Sequence, residues 1–237
     1  MSGKNARNYT HLYDKSMYTS MWTAYPVYSS AMGSEERPKD WSYSPLIIPK
    51  SEYQLNIQKH SYSNGYSRGH MIPNSSRNGI KKMQLQTFYV TNAVPQLQDK
   101  FNGTIWQRLE QAIQDLASSD TVYVVTGVAF QQIGEPEKEV KKAKPTDDSR
   151  TCPVPNYFYK VVLKVKRDGS KKITSASTVG IWMEHRDYKS NEKYADFDVS
   201  VDQIEEWTGF DFFANLPENL QETAEKNNSW STFAAFK

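Results

Sequence analysis

Arg68-Gly69-His70 sets an imidazole two residues from a guanidinium, with a glycine between them. A histidine can accept a proton near neutral pH, and an arginine can hold a phosphate oxygen through paired hydrogen bonds. The glycine permits unusual backbone geometry and lets another group approach closely. Taken alone, such a tripeptide belongs as readily to a solvated loop. It gains meaning from two segments downstream: Asn92-Ala93-Val94-Pro95-Gln96, then Asn102 ahead of Trp106-Gln107-Arg108-Leu109-Glu110.

Asn102 and Glu110 fall on a stretch whose apolar residues, Ile105, Leu109, Ala112, Ile113 and Leu116, repeat at helical spacing. Asn102 is a favourable residue to open that helix. On an α-helix, eight residues separate two side chains by about 12 Å along the axis and about 80° around it. Two groups so placed do not readily ligate one ion directly, although a Glu side chain leans back toward the helix N-terminus and shortens the gap. One ion held by the Asn102 amide oxygen, with its waters held by Glu110, satisfies that geometry. A single neutral oxygen plus retained waters suits Mg²⁺, which dehydrates reluctantly. Read singly, Asn102 is a cap and Glu110 a solvated charge.

Residues 1–20 read as a polar arm and residues 21–66 as short strands and loops. Asn64-Gly65 is a turn signal ahead of the histidine. Residues 87–91 (Thr-Phe-Tyr-Val-Thr) read as a short strand, with Pro95 stopping any continuation. Strands are expected over 121–128, 157–166 and 173–183, the last two joined by the Arg167-Asp168-Gly169-Ser170 turn. Residues 135–155 read as a long exposed loop, and 200–208 as a short helix capped by Ser200. Strands, a central helix, more strands and a late helix make an α+β chain with a mainly antiparallel sheet. Nothing in the composition divides residues 21–237 into more than one domain.

Hydrophobic residues are 38% and charged residues 24% of 237, the balance of an ordinary globular chain. No run is long enough to span a bilayer. The lone cysteine, Cys152, reads as a small core residue. Residues 1–8 are small and polar without an apolar run, and the compartment is not readable from them. Net charge is only +2, but residues 138–172 hold eleven Lys/Arg against four Asp/Glu, and residues 192–225 hold ten Asp/Glu against one Lys. Such asymmetry suits a basic face toward a phosphate backbone and an acidic one toward solvent.

The reactive segments resemble those of the DNA/RNA non-specific endonucleases of the ββα-metal superfamily, which carry Asp-Arg-Gly-His, then Asn-x-x-Pro-Gln, then an Asn opening a helix with Trp-x-x-Leu-Glu. The likeness is strongest over residues 66–127 and recurs at 154–165, 180–183 and 208–213. It implies a ββα-metal core, with the antiparallel sheet flanked by helices. The implied activity is hydrolysis of DNA and RNA to 5′-phosphate products with little sequence preference. It implies His70 as general base, Asn102 as direct ligand of one Mg²⁺ (Mn²⁺ or another divalent cation substituting) and Glu110 as a ligand through water. Arg68 would contact phosphate, and Ser67, Gly69 and Asn92 would support the site. It also implies a secreted or periplasmic protein.

Two positions depart from that pattern. Ser67 stands where the family usually has Asp, and Gln114 stands where an Arg is frequent, so a second phosphate clamp is sought in Arg77 or Arg108. Two rival readings share the fold: a nucleic-acid-binding module weakened in catalysis, and a phosphodiesterase of small esters.

Overall fold

The structure, a computed structural model, describes residues 7–237. In chain order its elements are β1 (Thr10–Asp14), β2 (Thr19–Val27), α1 (Lys50–Tyr53), β3 (Tyr66–His70), α2 (Lys81–Thr87), β4 (Ala93–Leu97), a π-helical segment (Gln98–Trp106) and α3 (Gln107–Leu116). Then follow β5 (Val122–Ala129), β6 (Lys142–Ala143), β7 (Cys152–Pro153), β8 (Tyr157–Arg167), β9 (Ile173–Glu184), β10 (Asp198–Val199), α4 (Val201–Thr208), α5 (Glu218–Ala224) and α6 (Trp230–Ala235). The fold is α+β.

Six strands, in the order β1-β2-β5-β8-β9-β10, form one antiparallel sheet. Its central strands are rich in Val, Ile, Tyr and Thr, which fit a pleated buried surface. Alternation divides their side chains between two layers. On one face Val124, Phe158, Val162, Ile181 and Met183 pack against Ile105, Trp106, Leu109 and Ile113 of the π segment and α3. On the other, Val125, Tyr159, Val161 and Trp182 pack against Val201 and Ile204 of α4 and against Phe212. Because both faces are covered, β8 is buried over its first eight residues. A third apolar cluster, including Trp41, Ile57, Phe88, Ala93 and Cys152, lies under the β3–β4 ribbon.

The expected strands over 121–128, 157–166 and 173–183 are β5, β8 and β9, and Ser200 caps α4 by accepting the Gln203 N–H at 3.1 Å. Cys152 is buried, which pushes its thiol up to about 12.

Other expectations need correction. The arm over 1–20 holds β1, which pairs with β2 through His11 and its neighbours; residues 1–6 lie outside the described part. Residues 87–91 are no strand: α2 runs to Thr87 and a tight turn covers Val90–Asn92. The aromatic and β-branched side chains there serve burial beneath the ribbon rather than a ladder. Pro95 does not end pairing either, since it sits inside β4 opposite Arg68. A two-stranded ribbon is all edge, and an edge strand tolerates a residue without an N–H. The loop over 135–155 contains the short β6–β7 pair.

Candidate active site

β3 and β4 run antiparallel with Arg68 opposite Pro95 and His70 opposite Ala93. The turn into β3 uses left-handed backbone at Asn64 (φ 66°) and Gly65 (φ 81°), as the Asn-Gly pair predicts. Residues two apart on a strand share a face, so Arg68 and His70 project together. Gly69 is needed for close approach rather than for unusual φ. A Cβ there would lie 2.2 Å from Gln96 Oε1 and 2.7 Å from Gln96 Cβ.

His70 is gripped by two aromatic rings, Trp41 at 4.5 Å and Phe88 at 5.0 Å between centroids. Each ring also carries an arginine: Arg68 lies over Trp41 at 5.4 Å and Arg37 over Phe88 at 5.2 Å. The imidazole's Nε2 is buried without a hydrogen-bond partner. Burial, with Arg37 and Arg68 adding to it, lowers the His70 pKa to about 3. The ring is therefore neutral at pH 7 and has a lone pair to offer. Arg68 is anchored by Nη1, which donates to the carbonyls of Ile57 (2.8 Å) and Gln58 (2.9 Å).

Asn92 is fully buried and fixes the chain beyond His70. Its Oδ1 accepts the Ile72 N–H at 3.0 Å, while Nδ2 donates to the carbonyls of Ile72 (3.1 Å) and Thr87 (2.8 Å).

Asn102 does not open an α-helix. It lies in the π-helical segment, and α3 begins only at Gln107. The α-helical arithmetic for the Asn102–Glu110 spacing thus fails for its first half, since i→i+5 closure places more residues in each turn. Asn102 Nδ2 donates to Ser67 Oγ (3.4 Å) and Gln98 Oε1 (3.2 Å), and its Oδ1 has no hydrogen-bond partner among the described residues. Ser67 in turn donates to the Gln96 carbonyl at 3.0 Å. The serine replacing the family's aspartate therefore ties the ribbon to Asn102.

Glu110 meets a partner that the sequence did not advertise. Lys160, on β8, reaches it at 3.7 Å, donates to Thr126 Oγ1 at 2.7 Å and lies 4.5 Å above the Trp106 ring. Lys160 is fully buried. Burial raises the Glu110 pKa and lowers that of Lys160, and each charge offsets the other's shift. Strand alternation is the signal that finds Lys160, because Phe158 and Val162 face α3 from the same side.

His70, Arg68, Ser67, Asn102 and Glu110 line one cavity of about 680 Å³, together with Arg37, Trp41 and Gln114. Gln114 is held by Ser75, accepting its amide at 2.7 Å. Arg37 and Trp41 had no sequence signal. Arg77, expected on substrate, is instead fully buried: it donates to Asn8 Oδ1 (2.6 Å) and to the carbonyls of Ser76 (2.7 Å), Asn8 (3.1 Å) and Pro26 (2.8 Å). Arg108 does not line the cavity either. It lies in an adjoining groove with Lys100 and Lys189, which shares Gly103, Gln107 and Gln111 with the cavity. No residue of the basic stretch 138–172 lines the cavity, and its Lys160 and Lys164 are buried within the fold.

A free amide oxygen and a half-shielded carboxylate that line one cavity offer hard oxygen donors of the kind that Mg²⁺ accepts. Over residues 2–219 the sequence matches the DNA/RNA non-specific endonuclease family. The chain belongs to that family. It is therefore an endonuclease, built on the ββα-metal fold.

Among curated relatives, a nuclease of Nostoc sp. is 29% identical over 218 residues, covering 92% of this chain and 75% of that protein. The mitochondrial nuclease EXOG of Danio rerio is 28% identical, covering 91% of this chain and 62% of the relative. A chain of the EndoG/EndoGI complex, solved to explain EndoG inhibition, superposes with a TM-score of 0.72 at 21% identity, over 92% of this chain and 87% of that one. Relatives come from bacteria and from mitochondria, so kinship does not fix a compartment. Among the described residues no helix is long and apolar enough to cross a membrane.

Proposed function

We propose that this endonuclease hydrolyses phosphodiester bonds of DNA and RNA with little sequence preference, His70 acting as base beside one Mg²⁺ held through Asn102. The observation that carries this reading is the shared cavity: a neutral imidazole, an arginine pair and an unpartnered amide oxygen open onto the same space. The ribbon exit and the two aromatic rings hold His70 ready to take a proton from a water. As that water's oxygen bonds to phosphorus, the bond to the 3′ oxygen breaks opposite it, leaving a 5′-phosphate; the 3′ alkoxide takes its proton from solvent. Arg68 and Arg37 hold non-bridging phosphate oxygens, and Asn102 and Glu110 are the residues that would hold the cation. Bound there, Mg²⁺ or Mn²⁺ would stabilise negative charge developing on the phosphoryl and leaving oxygens. Arg108 and Lys189, with Lys100 paired to Asp187 at 3.2 Å, line the adjoining groove and would grip backbone rather than base edges. A secreted or periplasmic location is the one that the family resemblance implies.

Supercoiled plasmid with Mg²⁺ tests the assignment. His70→Ala should lose cleavage by at least about 10²-fold while still folding and binding DNA. Asn102→Ala should lose cleavage together with metal affinity. An undiminished His70→Ala rate would overturn the base assignment, and binding without nicking by the unaltered protein would favour a weakened binding module. A small chromogenic diester cleaved faster than polymer would favour the phosphodiesterase reading.

A further inference from the structure

The acidic stretch 192–225 gathers three of its carboxylates at one point. Asp202 and Glu205, three apart on α4, share a helix face, and Glu225 follows α5 directly. One oxygen from each lies within 4.8 Å of the other two. The Glu225 carbonyl accepts the N–H groups of Val201 (2.9 Å) and Asp202 (3.3 Å), so the first turn of α4 and the end of α5 are already joined.

Glu225 is only 4% exposed, and its buried Oε1 has no hydrogen-bond partner. A buried ionised oxygen without a partner is costly, because nothing replaces the water it has lost. Glu205 accepts the Phe212 N–H at 2.6 Å but has no cation beside it. Among the described residues none of the three carboxylates pairs with Lys, Arg or His. Asp211 adds further negative charge, and burial with the neighbouring Glu205 pushes the Glu225 carboxyl up to about 8.

We propose that Asp202, Glu205 and Glu225 form a second cation site, for a hard divalent ion of the Ca²⁺ type, that pins α4 to the end of α5. Ca²⁺ takes oxygen ligands at about 2.3–2.6 Å, so ligand oxygens on one ion lie up to about 5 Å apart, which this triad meets. Asp202 and Glu205 are half-buried, leaving water to complete the shell. The site is separate from the catalytic cavity. α4 covers the sheet face opposite α3, and none of the three residues lines the cavity. Its role is structural, holding the C-terminal elements on β9.

Calorimetric titration of the chelator-stripped full chain with CaCl₂ tests this. An ion should bind that survives Asn102→Ala and whose affinity falls at least about tenfold in Glu225→Gln and in Glu205→Gln. The same ion should raise the unfolding midpoint by about 3 °C in the unaltered chain and in Asn102→Ala, but not in Glu225→Gln. Both glutamines keep size and hydrogen-bonding capacity, and both variants should nick plasmid at the unaltered rate. Ca²⁺ uptake that is absent, that vanishes in Asn102→Ala, or that persists unchanged in both glutamine variants overturns the proposal and leaves a proton as the neutralising partner of Glu225.

Discussion

Lys160 and Glu110 pose a residue-scale problem, because the proposed role of Glu110 needs it near a cation while the fold sets its carboxylate beside a buried ammonium. The pair has an uneven environment: Lys160 is sealed among Trp106, Thr126 and Tyr25, whereas Glu110 reaches the cavity. Removing one member strands the other's charge in a poorly solvated place. Lys160→Met should cost about 3 kcal/mol in urea unfolding. Adding Glu110→Gln should recover most of that stability without recovering plasmid cleavage. A double variant as unstable as the single one would show that Lys160 matters through packing instead.

At the scale of elements, the β3–β4 ribbon, the π segment and α3 are held by parts far from them in sequence. Arg77 ties Asn8 and Pro26, at the sheet edge, to the turn that follows β3, and its guanidinium is satisfied wholly by protein. Arg77→Ala should therefore lower stability by about 3 kcal/mol, while the folded fraction keeps its KM for DNA. A raised KM with unchanged stability would return Arg77 to the substrate. Gly69 is equally constrained, since a methyl there must displace the buried Gln96 side chain. Gly69→Ala should cost about 1–3 kcal/mol and misplace His70, which a thermal melt and a cleavage rate report together.

For the whole molecule, protonation links two histidines to stability in acid. Burial first, with neighbouring cations, lowers His70 to about 3 and His185 to about 4. His185 accepts the Leu97 N–H at Nε2 (2.8 Å) and meets the Pro155 carbonyl at Nδ1 (2.9 Å), so its bonds require the neutral ring. An unfolded histidine protonates near 6.5, so between pH 6.5 and 4 the unfolded chain binds more protons and stability falls as pH falls. Glu225 acts oppositely: with its pKa raised to about 8, it favours the folded state more as pH falls from 8 toward 4.5. Comparison with His185→Gln isolates one histidine. The unaltered chain should lose about 2 kcal/mol more than the variant between pH 7 and pH 5. Equal losses would mean that His185 does not titrate between the two states.

Local chemistry was legible without coordinates. The Asn-Gly turn, the β5, β8 and β9 strands and the Ser200 cap each depend on neighbours close in sequence, where residue type and period act directly, whereas the segments around His70, Asn92, Asn102 and Glu110 were picked out by family resemblance. What the tertiary structure decided lies between distant segments. The ribbon admitted Pro95 because its edge needs no ladder there. Asn102 lies in a π turn rather than at a cap, joined to Ser67 of the ribbon. Arg77 went inward to carbonyls, and Lys160 went to Glu110 across the strand–helix interface. A buried charge is placed by whichever partners the fold brings to it, and no spacing along one chain segment states who those partners are.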